Sequence, residues 1–133
     1  MSVFSEYQTD TIDLALDFYG YEDCPKNYEF GPSVRDNFVL HFVTKGKGVF
    51  HFEKKEIHLE AGDLFLLPKN KVTYYQADAE EPWSYYWIGI SGTKVSDFMR
   101  FSTLHAKGYL KKTEVDTERI GLFMEQLVHK AEA

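Results

Sequence analysis

Cysteine is nearly absent. Cys24 stands alone among 133 residues, so no disulfide can form within the chain, which fits a reducing compartment. A buried, inert thiol is the expectation for it. Long apolar runs are missing as well, and nothing approaches the ~20 residues that a bilayer-spanning helix needs. The N-terminus, MSVFSEYQTD, has neither the basic nor the apolar segment of a secretory leader. A cytoplasmic location and no membrane partner are therefore expected. Positive charge is scarce and scattered. The 15 Lys and Arg are outnumbered by 21 Asp and Glu, the net charge is −6, and no basic cluster is longer than Lys54-Lys55 or Lys111-Lys112. Nucleic-acid-binding domains carry a basic patch or stripe, so this chain is not expected to hold DNA or RNA by itself. There is no Gly-x-Ser-x-Gly elbow. Gly46-Lys47-Gly48 is too short to cradle a phosphate and predicts a hairpin turn. Internal repeats and low-complexity segments are absent.

Aromatic residues are abundant, at 17% of the chain, and such residues serve both cores and binding pockets. The first ~90 residues alternate short β-prone runs with turn signals at roughly 8–12-residue intervals, the rhythm of an antiparallel sandwich or barrel. The runs are Asp17–Cys24, Phe38–Lys45, Val49–Glu53, Glu56–Glu60, DLFLLP after Gly62, Val72–Ala77 and Trp83–Ser91. After Gly92 the period changes. Val95, Phe98, Met99 and Ser102, with Leu104 beyond, predict a short amphipathic helix. Asp116 or Thr117 can cap a second helix, with the stripe Ile120, Phe123, Met124, Leu127, Val128 and Ala131.

The stretch AGDLFLLPKNKVTYY resembles the second motif of the cupin superfamily, in which a glycine is followed six residues later by a proline and then by a metal-binding histidine. Gly62 and Pro68 keep that spacing, but Thr73 stands where the histidine belongs. Counting back from Gly62, the other ligand positions are Val49, His51 and Lys55. One donor of four does not make a metal site, and a lysine ammonium would repel the cation. No metal and no cofactor are expected. His41 and His58 are singletons, expected to be exposed or locally paired.

Binding residues are clearer than catalytic ones. Trp83, Tyr85 and Trp87 share one face of the last long strand, while Tyr86, Ile88 and Ile90 share the other. Indole faces stack on the C–H faces of sugars. Arg35, just before the strand at Phe38, can donate a bidentate fork to vicinal hydroxyls or a carboxylate. Glu22 in GYEDC can supply an acceptor from the neighbouring strand, and His41 is a further candidate contact.

GYEDC, GPSVRDNFVLHFV, GKGVF, LEAGDLFLLP and PWSYYWIGISG, in that order, resemble the N-terminal effector-binding domain of AraC-type transcriptional regulators. They resemble in particular the sugar-utilisation regulators of Gram-positive bacteria. The resemblance implies a mainly β, metal-free, cupin-like double-stranded β-helix (jelly-roll) barrel over residues 1–92, with an N-terminal arm around Phe4–Asp10 that closes over the ligand. It implies a helical dimerisation segment over 93–133, with two C-terminal helices joining a homodimer. A mono- or oligosaccharide effector is implied, contacted by Trp87, Tyr85 and Tyr75, with Arg35 and Glu22 also at contact positions. DNA would be held only by a helix-turn-helix domain that this chain lacks, so an isolated regulatory domain is expected. The alternative is a metal-free cupin enzyme, a sugar isomerase or epimerase, which would need a positioned acid and base.

Overall fold

The computed structural model describes residues 2–7 and 15–132. Ten strands and three helices follow in the order β1 (Ser2–Tyr7), β2 (Ala15–Asp23), β3 (Glu29–Ser33), β4 (Phe38–Lys45), β5 (Lys47–Phe52), β6 (Lys55–Glu60), β7 (Leu64–Leu67), β8 (Thr73–Ala77), β9 (Ser84–Ser91), α1 (Thr93–Arg100), α2 (Thr103–Lys107), β10 (Tyr109–Leu110) and α3 (Glu118–Glu132). The strands form two antiparallel sheets, one in the order β1-β2-β9-β4-β7-β10 and the other in the order β3-β8-β5-β6.

Side-chain alternation dictates how the sheets face each other. On β6, Ile57 and Leu59 are buried and their neighbours Glu56, His58 and Glu60 are exposed, so one face of that sheet meets water. The run LFLL on β7 is buried at every position. A strand covered on both faces selects such a continuous apolar run. Its Phe65 and Leu67 enter the core between the sheets, with Val39, Val43, Phe50, Phe52, Leu59 and Trp83. Its Leu64 and Leu66 face outward, into a second apolar layer with Leu40, Tyr86 and Ile88.

Helices cover that outer layer through Val95 and Met99 of α1 and through Met124 and Val128 of α3. Both expected helices are present, with short α2 between them. Ser102 does not extend the apolar stripe of the first helix. Its hydroxyl accepts from the His105 backbone N–H at 3.0 Å and opens α2, because a serine oxygen competes well for a free helix-end donor. Phe98 and Phe123 lie on the predicted stripes but are 70% and 61% exposed. Leu127 and Ala131 lie outside the described side chains. Thr117 stands immediately before α3, its carbonyl accepting from the Gly121 N–H at 3.0 Å, while its hydroxyl donates to the Gly62 carbonyl. Gly121 rests on the Phe42 ring, where a Cβ would come within 2.3 Å of Cζ. Tyr86 Oη lies 3.1 Å from His129 Nε2. Among the described residues, no helix is long and apolar enough to cross a membrane.

Candidate functional site

A half-open cavity of about 370 Å³ lies between the sheets. Strand register builds it. β9 runs between β2 and β4, so Trp87 stands opposite Gly20 on one side and His41 on the other, and Tyr85 opposite Glu22 and Val43. Residues directly opposite share a face, so these side chains all turn inward. Gly20 adds no side chain beside the indole of Trp87. One step along, Phe18 lies over Gly89 so closely that a Cβ there would come within 2.3 Å of the ring. β8 supplies Tyr75 from the facing sheet, stacked on Phe30 of β3 at 5.4 Å.

The rings hold the polar groups. The Arg35 guanidinium lies between two of them, 5.4 Å from the Phe18 centroid and 5.3 Å from that of Phe30. Each such contact contributes about 0.5–1 kcal/mol at an exposed site and more when dry. No described residue hydrogen-bonds or ion-pairs with its side chain, and Nε is buried without a partner. Among the described residues the two rings are thus what holds the fork in place. The Tyr85 hydroxyl donates to that of Tyr75 at 3.4 Å, and burial pushes both phenols well above their ordinary range. Burial also raises the Cys24 thiol to about 11, leaving it inert, as expected.

Of the two alternatives open to His41, exposed or locally paired, the structure excludes exposure. His41 is 2% exposed and stacks on its cross-strand partner Phe65 at 4.3 Å and 9°. Its Nδ1 has no hydrogen-bond partner. Burial first, and the Arg35 charge second, lower its pKa to about 3, so the imidazole is neutral near pH 7. His58 is exposed.

Six of the predicted contacts, Trp87, Tyr85, Tyr75, Arg35, Glu22 and His41, line this one cavity. Trp83 does not. It points inward like its neighbours but is completely buried, stacked on Phe65 at 5.2 Å and 16° in the solid end of the core. Two of the positions that the cupin motif uses for metal ligands do not face the cavity either. Val49 and His51 alternate with inward Phe50 and Phe52, so they face outward, and His51 packs against Tyr74 at 5.1 Å. Sequence reasoning missed Phe18, Tyr28 and Phe30 as wall residues. The spacing of Phe18, Gly20 and Glu22 carried the signal for the first, and Tyr28-x-Phe30 for the others. Strand β1 pairs with the free edge of β2, with Phe4 opposite Phe18. The remainder of the expected arm, residues 8–10, lies outside the described residues.

The Schizosaccharomyces pombe Cnp3 cupin domain has this fold: TM-score 0.53, 13% identity, over 74% of this chain and 70% of that one. Among curated proteins, the Msm operon regulatory protein of Streptococcus mutans is 44% identical over 109 residues, covering 82% of this chain and 39% of that protein. The raffinose operon transcriptional regulatory protein RafR of Pediococcus pentosaceus is 41% identical over 100 residues, covering 73% of this chain and 36% of that protein. The chain thus spans less than half the length of either relative. The AraC-like ligand binding domain family matches residues 15–133, across both sheets, the cavity and the helices, and the chain belongs to that family.

Proposed function

We propose that this domain senses a small carbohydrate and passes its presence to a DNA-binding domain, as part of a transcription regulator of sugar-utilisation genes. The observation that carries the reading is the cavity itself. A half-buried indole, Trp87, adjoins two phenols and a ring-clamped guanidinium that is unpaired among the described residues, which together offer a stacking face and directed hydrogen bonds. The names of the two curated relatives, regulators of the msm and raffinose operons, support the same reading. Trp87 stacks on the sugar ring, Arg35 and Glu22 bind its hydroxyls, and Tyr75, Tyr85 and His41 complete the wall.

An isomerase or epimerase is the weaker reading. Efficient acid–base groups titrate near the working pH, whereas His41 is held at about 3 and the Tyr75 and Tyr85 phenols are pushed up. A binding role uses these groups as they stand.

The output side of the proposal is the helical segment, residues 93–133, taken as a unit distinct from the barrel domain of residues 1–92. Leu122 and Phe123 of α3 are 50% and 61% exposed, an apolar surface suited to pairing with a second copy. Sugar binding shifts the population between arrangements of barrel, arm and helices. A thermal-shift screen of mono-, di- and trisaccharides tests the sensor. A raised melting temperature with at least one sugar is expected, and loss of that shift in Trp87→Ala. No shift with any sugar would overturn the reading.

A further inference from the structure

We infer that the turn Ala61-Gly62-Asp63 is the joint that carries occupancy of the cavity to α3, with Asp63 as its positioning residue; the inference rests on the carbohydrate reading above and names the route of its output. The turn hangs on the barrel. The Gly62 N–H donates to the Val43 carbonyl at 2.8 Å, and the Val43 N–H donates to the Asp63 carbonyl at 3.0 Å. Two strands lead from the turn to the cavity. Val39 and His41 of β4 line the cavity, as does Leu67 of β7, and Phe65 of β7 stacks on His41.

The same turn holds the chain that leads into α3. Asp63 is 2% exposed, and both of its carboxylate oxygens serve backbone donors. Oδ2 accepts from the Glu60 N–H at 2.9 Å, within the turn, and Oδ1 from the Lys112 N–H at 3.0 Å, across the joint. Bonds to a carboxylate are the stronger kind. Lys112 Nζ donates to the Ala61 carbonyl at 2.8 Å, and its stem lies so close to Gly62 that a Cβ there would come within 2.7 Å of Lys112 Cδ. The Thr117 hydroxyl donates to the Gly62 carbonyl, and the Thr117 carbonyl opens α3. Upstream, β10 pairs with β7, Tyr109 opposite Phe65 and Leu110 opposite Leu64. Directed bonds thus hold Tyr109, Leu110, Lys112 and Thr117 to β7 and the turn. Farther along α3, Met124 and Val128 rest on the outer apolar layer, and apolar burial is non-directional. A shift of β4 or β7 around a bound sugar therefore reaches α3 as a change of place for its first turn, through these bonds.

The test is hydrogen–deuterium exchange of the domain with and without raffinose, or failing that the saccharide that most raises its melting temperature, read over residues 108–121. In the wild type the sugar is expected to change exchange there by about threefold or more. In Asp63→Asn the side-chain amide offers one acceptor oxygen in place of two, so one of the two bonds is lost. That variant is expected to lose more than about half of the sugar-induced change. Its sugar affinity should stay within about threefold of the wild type, because coupling is reciprocal and Asp63 lies outside the cavity wall. A merely structural Asp63 would raise exchange with and without sugar alike and leave the sugar-induced difference intact. Thr117→Val removes the neighbouring bond with Asp63 in place, and it takes over the test if Asp63→Asn does not fold. Sugar binding with no change over residues 108–121 in the wild type overturns the inference and leaves the carbohydrate reading standing. A full response in Asp63→Asn, or in Thr117→Val where that variant stands in, does the same. If no sugar binds, the carbohydrate reading falls and the inference with it.

Discussion

Trp83 and Trp87, the two tryptophans of the chain, turn to the same side of one segment, and the barrel uses them in opposite ways. Trp83 is part of a column of near-parallel rings: His41 stacks on Phe65 at 4.3 Å, and Phe65 on Trp83 at 5.2 Å. Phe50, Phe52 and Leu59 fill the same end. The Trp83 indole N–H is buried without a partner, a cost of about 1–3 kcal/mol, comparable with the gain from burying the ring. Trp87 is half-buried where the column stops, beside Tyr85 at 5.8 Å and the open cavity. Alternation decides that both point inward. Depth along the barrel decides which one becomes core and which becomes wall.

Substitution separates the two ends most sharply. Trp83→Ala is expected to remove about 3–5 kcal/mol of stability, read as a lower urea midpoint. Trp87→Ala is expected to cost about 1 kcal/mol, since that ring is only partly buried and borders an open cavity, while abolishing sugar binding. Equal losses of stability would erase the distinction between core end and cavity end.

Acid probes the boundary between them, at His41. Its folded pKa of about 3 lies below the ordinary 6.5, so below about pH 6.5 the unfolded chain takes up a proton that the folded one refuses. Stability falls as pH drops from 6.5 towards 3. Between pH 6.5 and about pH 5 the loss is about 2 kcal/mol. His41→Leu is expected to flatten that part of the profile, measured by urea denaturation at several pH values. An unchanged slope would mean that the ring is not held neutral.

The other face of β9 gives a smaller and different effect. Tyr86 faces outward, and its hydroxyl meets His129 of α3 at 3.1 Å. Tyr86→Phe removes that bond and is expected to cost about 1 kcal/mol without changing sugar affinity. A marked change in affinity would show that the two faces of the sheet are coupled. Smallest is an optical effect: in Trp83→Phe, the remaining Trp87 emission should be quenched by acrylamide and protected by bound sugar. Trp83 emission in Trp87→Phe should resist the quencher.

The strand rhythm, the inward face of β9 and the helices after Gly92 were legible because alternation and turn chemistry are local. Arg35 and Glu22 were legible as charges beside strands, and the cavity collects both. Depth was not legible. Trp83 and Trp87 carry the same local signal, and only the stack under Phe65 tells them apart. Nor was the facing of Val49 and His51. Counting residues from Gly62 ignores the Glu53-Lys54 turn, where both residues have positive φ and set the register of β5 on β6. The burial of His41 was not legible because its shelter, Phe65 and Tyr75, comes from strands far along the chain.

The central claim is that the open end of the barrel is a sugar site built around Trp87. Titration calorimetry with the same saccharide panel, run on the wild-type domain and on Trp87→Ala, tests it most directly. The account predicts saturable binding of at least one neutral sugar by the wild type, weakened tenfold or more in the variant, with the melting temperature of the free variant close to that of the wild type. Equal binding by both proteins would contradict it.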